Sequence, residues 1–409
     1  MRKMRFWHIL LFACLLTGCN GLERPHEGPY EHVLVYCALG YNNLSDNLVT
    51  NFNDILTDIL PGFSSDKAIL AFCHNTGEGG YTTPNSPVLV RLYRNRDGHA
   101  LADTIKTYDS GMASASKESL RLALEDILSQ FPARHYGMVF SSHGTGWLPG
   151  NYSSSSERTS VRGLPPGPDP AWPLTKAIGN QYSGSGRNPE VHWIELQDFA
   201  DAIPMKLDYL ILDACLMGTV ETAYELKDVC DRLIVSPTEI LAAGMVYNTL
   251  SWDMFSGREP ALETYCKKYY DYYDAQSGSY RSATVALVEC DRLDALADAF
   301  GAIVDAHRDH LTVNLTNTVQ KYYYGSSPLR FFYDLRDLAD QLGASAAEMQ
   351  RLDDALSAAI PYHAETPSFF DLQLERCCGL SVYIPEPSRP RLNAYYRTLS
   401  WNRKVHLVE

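Results

Sequence analysis

The stretch Leu207 to Gly218, L-D-Y-L-I-L-D-A-C-L-M-G, most constrains what this chain can fold into. Tyr209, Leu210, Ile211 and Leu212 form a short apolar run of the kind buried on both faces of a parallel sheet. Asp213, Ala214 and Cys215 follow at its carboxyl end, and Thr219 to Lys227 reads as a helix with Val220, Ala223, Tyr224 and Leu226 on its apolar stripe. A cysteine therefore sits where a strand hands over to a helix. Open α/β sheets bind ligands at the carboxyl ends of their strands, and a thiol near a helix amino terminus is favoured as thiolate. Taken alone, the stretch fits either a nucleophile or an inert core cysteine.

The rest of the chain supplies the sheet. His32–Leu39, Lys67–His74, Val88–Tyr93, His135–Ser142, Asp231–Pro237 and Ser282–Glu289 read as strands, and 378–384 as a late one. Helical spacing marks 43–60, with Asp46 as cap, then 117–131, 196–203, 260–275, 293–307, 333–342 and 345–360, with Ser345 as cap. The alternation predicts an α/β fold with a mostly parallel central sheet over 31–275, and a helix-rich C-terminal region over 276–409. Residues 150–190 are rich in Ser, Gly and Pro, the composition of a long mobile loop, and include Arg158, Arg162, Lys176 and Arg187.

The first residues read as a targeting signal: Arg2, Lys3 and Arg5 precede the apolar run Phe6–Leu16. Leu16-Thr17-Gly18-Cys19 resembles the lipobox of bacterial lipoproteins. That resemblance implies a signal peptide over 1–18, acylation of Cys19, a tether over 19–30, and a protein anchored in the cell envelope through lipid. A net charge of −14 argues against nucleic acid as a partner. Eight cysteines lie beyond Cys19, with no C-x-x-C among them, so neither a zinc ribbon nor a thioredoxin-type site is supported. An exported chain permits disulfides, but free core cysteines fit equally well.

A nucleophilic thiol needs a base. His143 repeats the placement of Cys215, following the apolar strand Tyr136–Phe140, and is trailed by Gly144, Gly146 and Trp147. Two such strand-end residues meet if their strands are neighbours, and Gly144 would let a backbone N–H approach an oxyanion, with the N–H of Cys215 as second donor. Ser142–Trp147 matches the H-G-x-G-W pattern of clostripain-like cysteine peptidases, and Asp213–Met217 their D-A-C-L-M segment. Further matching stretches are 33–44 with its Asn-Asn-Leu, 236–239, 333–338 and 379–385.

The resemblance implies a caspase-like three-layer sandwich and a cysteine endopeptidase acting on protein or peptide substrates. In it His143 would be general base and acid, Cys215 nucleophile, and Gly144 with Cys215 the oxyanion donors. It also implies cleavage after arginine or lysine with Asp213 lining the S1 pocket, and self-processing within 150–190. Calcium serves some family members, although no D-x-D-x-D-G loop occurs here. One departure stands out: 240–247 lacks the second S1 acid that relatives often carry, and Glu239 is the nearest carboxylate. Two other classes compete, a non-catalytic surface binding protein on the same fold, and a metal hydrolase using His74, Glu78 and His143, which lacks H-E-x-x-H spacing.

Overall fold

The computed structural model describes residues 24–76, 85–150, 181–183, 190–325, 327 and 329–409. The signal, Cys19, Glu78 and nearly all of the 150–190 interval, with its four basic residues, lie outside the described residues.

Nine strands build one sheet: β1 (Tyr30–Gly40), β2 (Lys67–Asn75), β3 (Val88–Arg94), β4 (Ala100–Thr107), β5 (Ala133–Ser141), β6 (Leu207–Asp213), β7 (Cys230–Val235), β8 (Thr284–Glu289) and β9 (Tyr362–Glu365). Their spatial order is β9-β8-β7-β6-β5-β1-β2-β3-β4. The five central strands, from β7 to β2, are parallel, and two antiparallel strands flank them on each side. The expected mostly parallel α/β sandwich is therefore present. Because β8 and β9 complete this sheet, the line drawn at 275/276 does not separate two cores.

The helices are α1 (Ser45–Thr57), α2 (Lys117–Gln130), α3 (Leu196–Ala202), α4 (Val220–Leu226), α5 (Leu250–Phe255), α6 (Leu262–Asp274), α7 (Leu293–Ala306), α8 (Leu335–Gln341), α9 (Ala346–Ala359), α10 (Pro390–Tyr396) and α11 (Ser400–Val405). One layer holds α1, α5 and α6; the other runs through α2, α3, α4, α11, α7 and α9 in a chain of packed neighbours. Alternation along each strand assigns its side chains to these layers. In β6, Tyr209, Ile211 and Asp213 face the α5–α6 layer. Leu210 and Leu212 face α3. In β5, Phe140 packs on Phe199 of α3, while the next residue, Ser141, bonds Asp213 on the other face.

Local signals explain most element ends. Ser116 caps α2 through the N–H of Ser119, and Ser345 with Glu348 forms the capping box that starts α9. Asp46 lies in the first turn of α1 rather than at its cap, which is Leu44. The segment 378–384 is extended but pairs over only Ser381–Val382, with Tyr333–Asp334, and stays apart from the main sheet. Among the described residues the eight cysteines are free thiols; Cys230 and Cys290 face each other with sulfurs 3.8 Å apart.

Glu221, in the first turn of α4, is fully buried. Its carboxylate accepts from the Tyr396 hydroxyl at 2.6 Å and the Tyr383 N–H at 2.9 Å, so it ties the helix after Cys215 to the C-terminal segment. Burial raises its pKa to about 7. Between about pH 4.5 and 7 the unfolded carboxyl ionises while the folded one holds its proton, so stability is full below that window and falls as pH rises through it. The loss is on the order of 3 kcal/mol. Glu221→Gln keeps the acceptor oxygen and should flatten this slope, checked by urea unfolding midpoints at pH 4.5 and 7.5.

Candidate active site

Strands β5 and β6 are parallel neighbours with Ser141 paired to Asp213. His143 and Cys215 each lie two residues beyond that last pair, on turns leaving the same edge. The turns touch. A Cβ on Gly144 would lie 2.6 Å from the Cys215 carbonyl oxygen, and one on Gly146 2.6 Å from that of Leu216. Both positions thus require glycine, Gly146 also because its φ is 61°. Gly218 packs equally tightly on Ser236 and Pro237, where a Cβ would meet the Pro237 nitrogen at 2.4 Å. The glycines of the two motifs are what let three turns nest against one another.

His143 is nearly buried, and its Nε2 donates to Asn43 Oδ1 at 2.7 Å. With the proton on Nε2, Nδ1 is the basic nitrogen, the tautomer a proton acceptor needs. Asn43 follows β1; beside it Asn42 receives the Leu44 N–H at 2.9 Å and donates to the Leu39 carbonyl, shaping the turn. Trp147 anchors the far end of the histidine turn, its ring centroid 4.9 Å from those of Tyr383 and Tyr396.

Cys215 is wholly buried. Its sulfur accepts the Ile240 N–H at 3.1 Å and lies 3.5 Å from the Ile240 carbonyl. An N–H aimed at sulfur stabilises a thiolate. The helix dipole contributes less than the sequence suggested. α4 has seven residues and starts five beyond Cys215, past the range over which the dipole acts. Leu216, immediately after Cys215, holds left-handed backbone with φ 60°, a conformation costing about 1–3 kcal/mol for a non-glycine residue. The hydrogen bond from Leu216 N to Thr238 O helps hold it there.

Asp213 is fully buried on the α5–α6 face and accepts from Ser141 at 2.7 Å and from Tyr247 at 2.5 Å. Burial first, and then the Asp213 charge, push the hydroxyls of Tyr247 and Tyr265 well above the ordinary tyrosine range, so both are protonated. Glu239 is also buried, with the Tyr324 hydroxyl 3.3 Å from its carboxylate. The structure therefore gathers His143, Gly144, Cys215, Asp213 and Glu239 around one sheet edge. Of the metal alternative's residues, His74 and His143 are described and Glu78 is not. His74 is stacked on Tyr41. Its ring bonds Ser114 at 2.7 Å and the Asn85 carbonyl at 3.2 Å, and no cluster of three ligands occurs among the described residues. Sequence reasoning missed Asn43, Ile240 and Tyr247. Asn43 lay inside a stretch already matched to the family, so its position carried the one available signal.

The fold and these turns are similar to those of clostripain-like proteases. Residues 175–364 match the family model described as the Clostripain family, a stretch that contains Cys215. Clostripain of Hathewaya histolytica is 24% identical over 242 residues, 53% of this chain; the chain spans 41% of that relative's length. Among solved structures, an inactive zymogen C11 protease from Parabacteroides distasonis is 27% identical with a TM-score of 0.73, covering 92% of this chain and 97% of its own. A secreted C11 cysteine protease from Bacteroides thetaiotaomicron, iotapain, shares the fold at 23% identity and the same TM-score, over 93% of this chain and 100% of its own.

If Asn43 orients the imidazole, Asn43→Ala removes a hydrogen bond worth about 1.5–3 kcal/mol to the charged ring. Turnover on a peptide substrate should then fall about 10- to 100-fold with little change in KM. Asn43 is exposed, so the thermal melting temperature should stay put.

Proposed function

We propose that this chain is a cysteine endopeptidase using a Cys215–His143 dyad. The observation that carries the reading is the contact of the two glycine-bearing turns at the ends of adjacent parallel strands. The Cys215 thiolate attacks the scissile carbonyl, and the N–H groups of Gly144 and Cys215 receive the oxyanion. His143 then gives its proton to the leaving amine. In deacylation the same ring takes a proton from the attacking water and returns it to sulfur. Cys215 lies under the Ile240 main chain, so substrate must shift that segment to reach it.

Cleavage after lysine or arginine is the favoured specificity. The α5–α6 face beneath Cys215 carries the Asp213 carboxylate, and the buried hydroxyls of Tyr265 and Tyr269 have no hydrogen-bond partner among the described residues. A basic side chain reaching Asp213 would take over the bond now made by Tyr247 and meet tyrosine faces on the way. Without a second acid in 240–247, the hold on a guanidinium is weaker than a two-carboxylate pocket would give. The basic residues of 150–190 are then candidate self-cleavage sites.

The chain is also proposed to be held in the cell envelope by lipid on Cys19. No helix among the described residues is long and apolar enough to cross a membrane. Cys19→Ala should move the protein from the detergent-rich to the aqueous phase in a cloud-point partition. Retention in the detergent phase would refute the anchor.

A peptide-library digest read by mass spectrometry tests the enzymatic reading. The wild type should cut after Lys or Arg and take up a lysyl or arginyl acyloxymethyl ketone on Cys215. Cys215→Ala and His143→Ala should each lose turnover. Self-processing by pure Cys215→Ala would show that the nucleophile lies elsewhere.

A further inference from the structure

The alternation of β6 puts Asp213 on one face of the sheet and its neighbours in sequence, Leu212 and Ala214, on the other. That second face carries a pocket of about 830 Å³ counting its open mouth. Phe140 and Leu212 from the sheet, Phe199 and Leu196 of α3, and Ile194 and Leu148 supply its apolar walls, and Ser114, Ser142, Thr145 and His192 add a polar share nearly as large. Its rim includes His143 and Gly144, whereas the Cys215 sulfur is held on the far side beneath Ile240. His143 and Gly144 thus belong to the wall of this recess, while the Asp213 carboxylate is packed against Ser141 and Tyr247 on the other face of the sheet.

Peptide hydrolysis gives those sides different meanings. The thiolate bonds to the carbonyl carbon, so the residue before the scissile bond stays with sulfur. The imidazolium delivers its proton to the leaving nitrogen, which belongs to the residue after that bond. The leaving residue must therefore pass over the imidazole, and its side chain departs one bond from the nitrogen being protonated. The geometry points to the Phe140–Phe199–Ile194 pocket as the S1′ subsite, taking a large apolar side chain such as leucine, methionine or phenylalanine directly after the cut. This rests on the proposed dyad and adds to it a second determinant of where the chain is cut. The pocket is continuous with the dyad through the His143 ring, which names substrate, rather than a separate ligand, as its occupant.

Burying an aliphatic side chain there discriminates through apolar transfer, and even one methylene is worth roughly tenfold in a fitted pocket. Peptides with a fixed lysine or arginine before the cut and a varied following residue should be cleaved about tenfold or more faster with leucine or phenylalanine than with glycine or aspartate. Ile194 is half-buried on the pocket wall, so Ile194→Trp can fill the space from its edge. That variant should lose the preference for leucine and phenylalanine. It should still be labelled at the wild-type rate by a lysyl or arginyl chloromethyl ketone, whose leaving group is a single chloride with no side chain for the pocket to read. Normal labelling with a flat preference after the cut in the wild type overturns the subsite and leaves the dyad standing. Labelling slowed in step with cleavage in Ile194→Trp also overturns it, because the pocket would then act on the thiol side. Absence of labelling in the wild type overturns the dyad and the subsite together. Ile194→Ala gives a second reading: a wider pocket should shift preference from leucine toward phenylalanine.

Discussion

The parallel pairing of β5 with β6 is the constraint on which the site depends. It fixes Ser141 against Asp213, and His143 and Cys215 each lie two residues beyond that pair. A slip of register by one residue would turn Asp213 to the α3 face and carry Leu212 into the buried polar region. The hydrogen bonds from Ser141 and Tyr247 to Asp213 exist only in the observed register, so polar satisfaction on one face and apolar packing of Phe140 on Phe199 on the other enforce the same alignment. The glycines act one step later. With the strands aligned, the turns beyond them collide unless Gly144, Gly146 and Gly218 carry no side chain.

Parallel strands buried on both faces announce themselves as continuous apolar runs, which is why β1, β2, β5 and β6 were legible in sequence. The edge strand β4 was not. Its residues Ala100–Thr107 are mostly exposed and half polar, and only pairing to β3 makes them a strand. β9 escaped for the same reason, lying half-exposed at the opposite edge against β8. Direction was equally hidden: nothing local in Val88–Arg94 or Thr284–Glu289 distinguishes an antiparallel neighbour from a parallel one. The run at 378–384 was apolar because it packs under Trp147 and Tyr396, not because it joins the sheet.

The site was legible where the motif residues themselves meet, as the turns carrying His143, Gly144 and Cys215 do. It was illegible where the partner comes from elsewhere in the chain. Asn43 reaches His143 across 100 residues, and Tyr247 reaches Asp213 across 34. The Ile240 N–H that faces the sulfur has no side-chain signature at all. Glu239 drew notice as the nearest carboxylate to 240–247; in the structure the Tyr324 hydroxyl donates to its carboxylate and the Thr238 hydroxyl to its main-chain carbonyl.

These long-range contacts share one segment. Between Thr238 and Tyr247 the chain receives the Leu216 N–H, donates to the Cys215 sulfur, accepts the Tyr273 hydroxyl at Gly244 O and donates to Asp213. A movement that frees the sulfur must disturb the Ile240 bond, and a side chain that claims Asp213 must displace Tyr247, seven residues along the same segment. Displacing Tyr247 from Asp213 and uncovering the Cys215 sulfur are therefore mechanically linked, because both disturb the same loop. The strained Leu216 backbone, held by Thr238, adds conformational energy to the same joint.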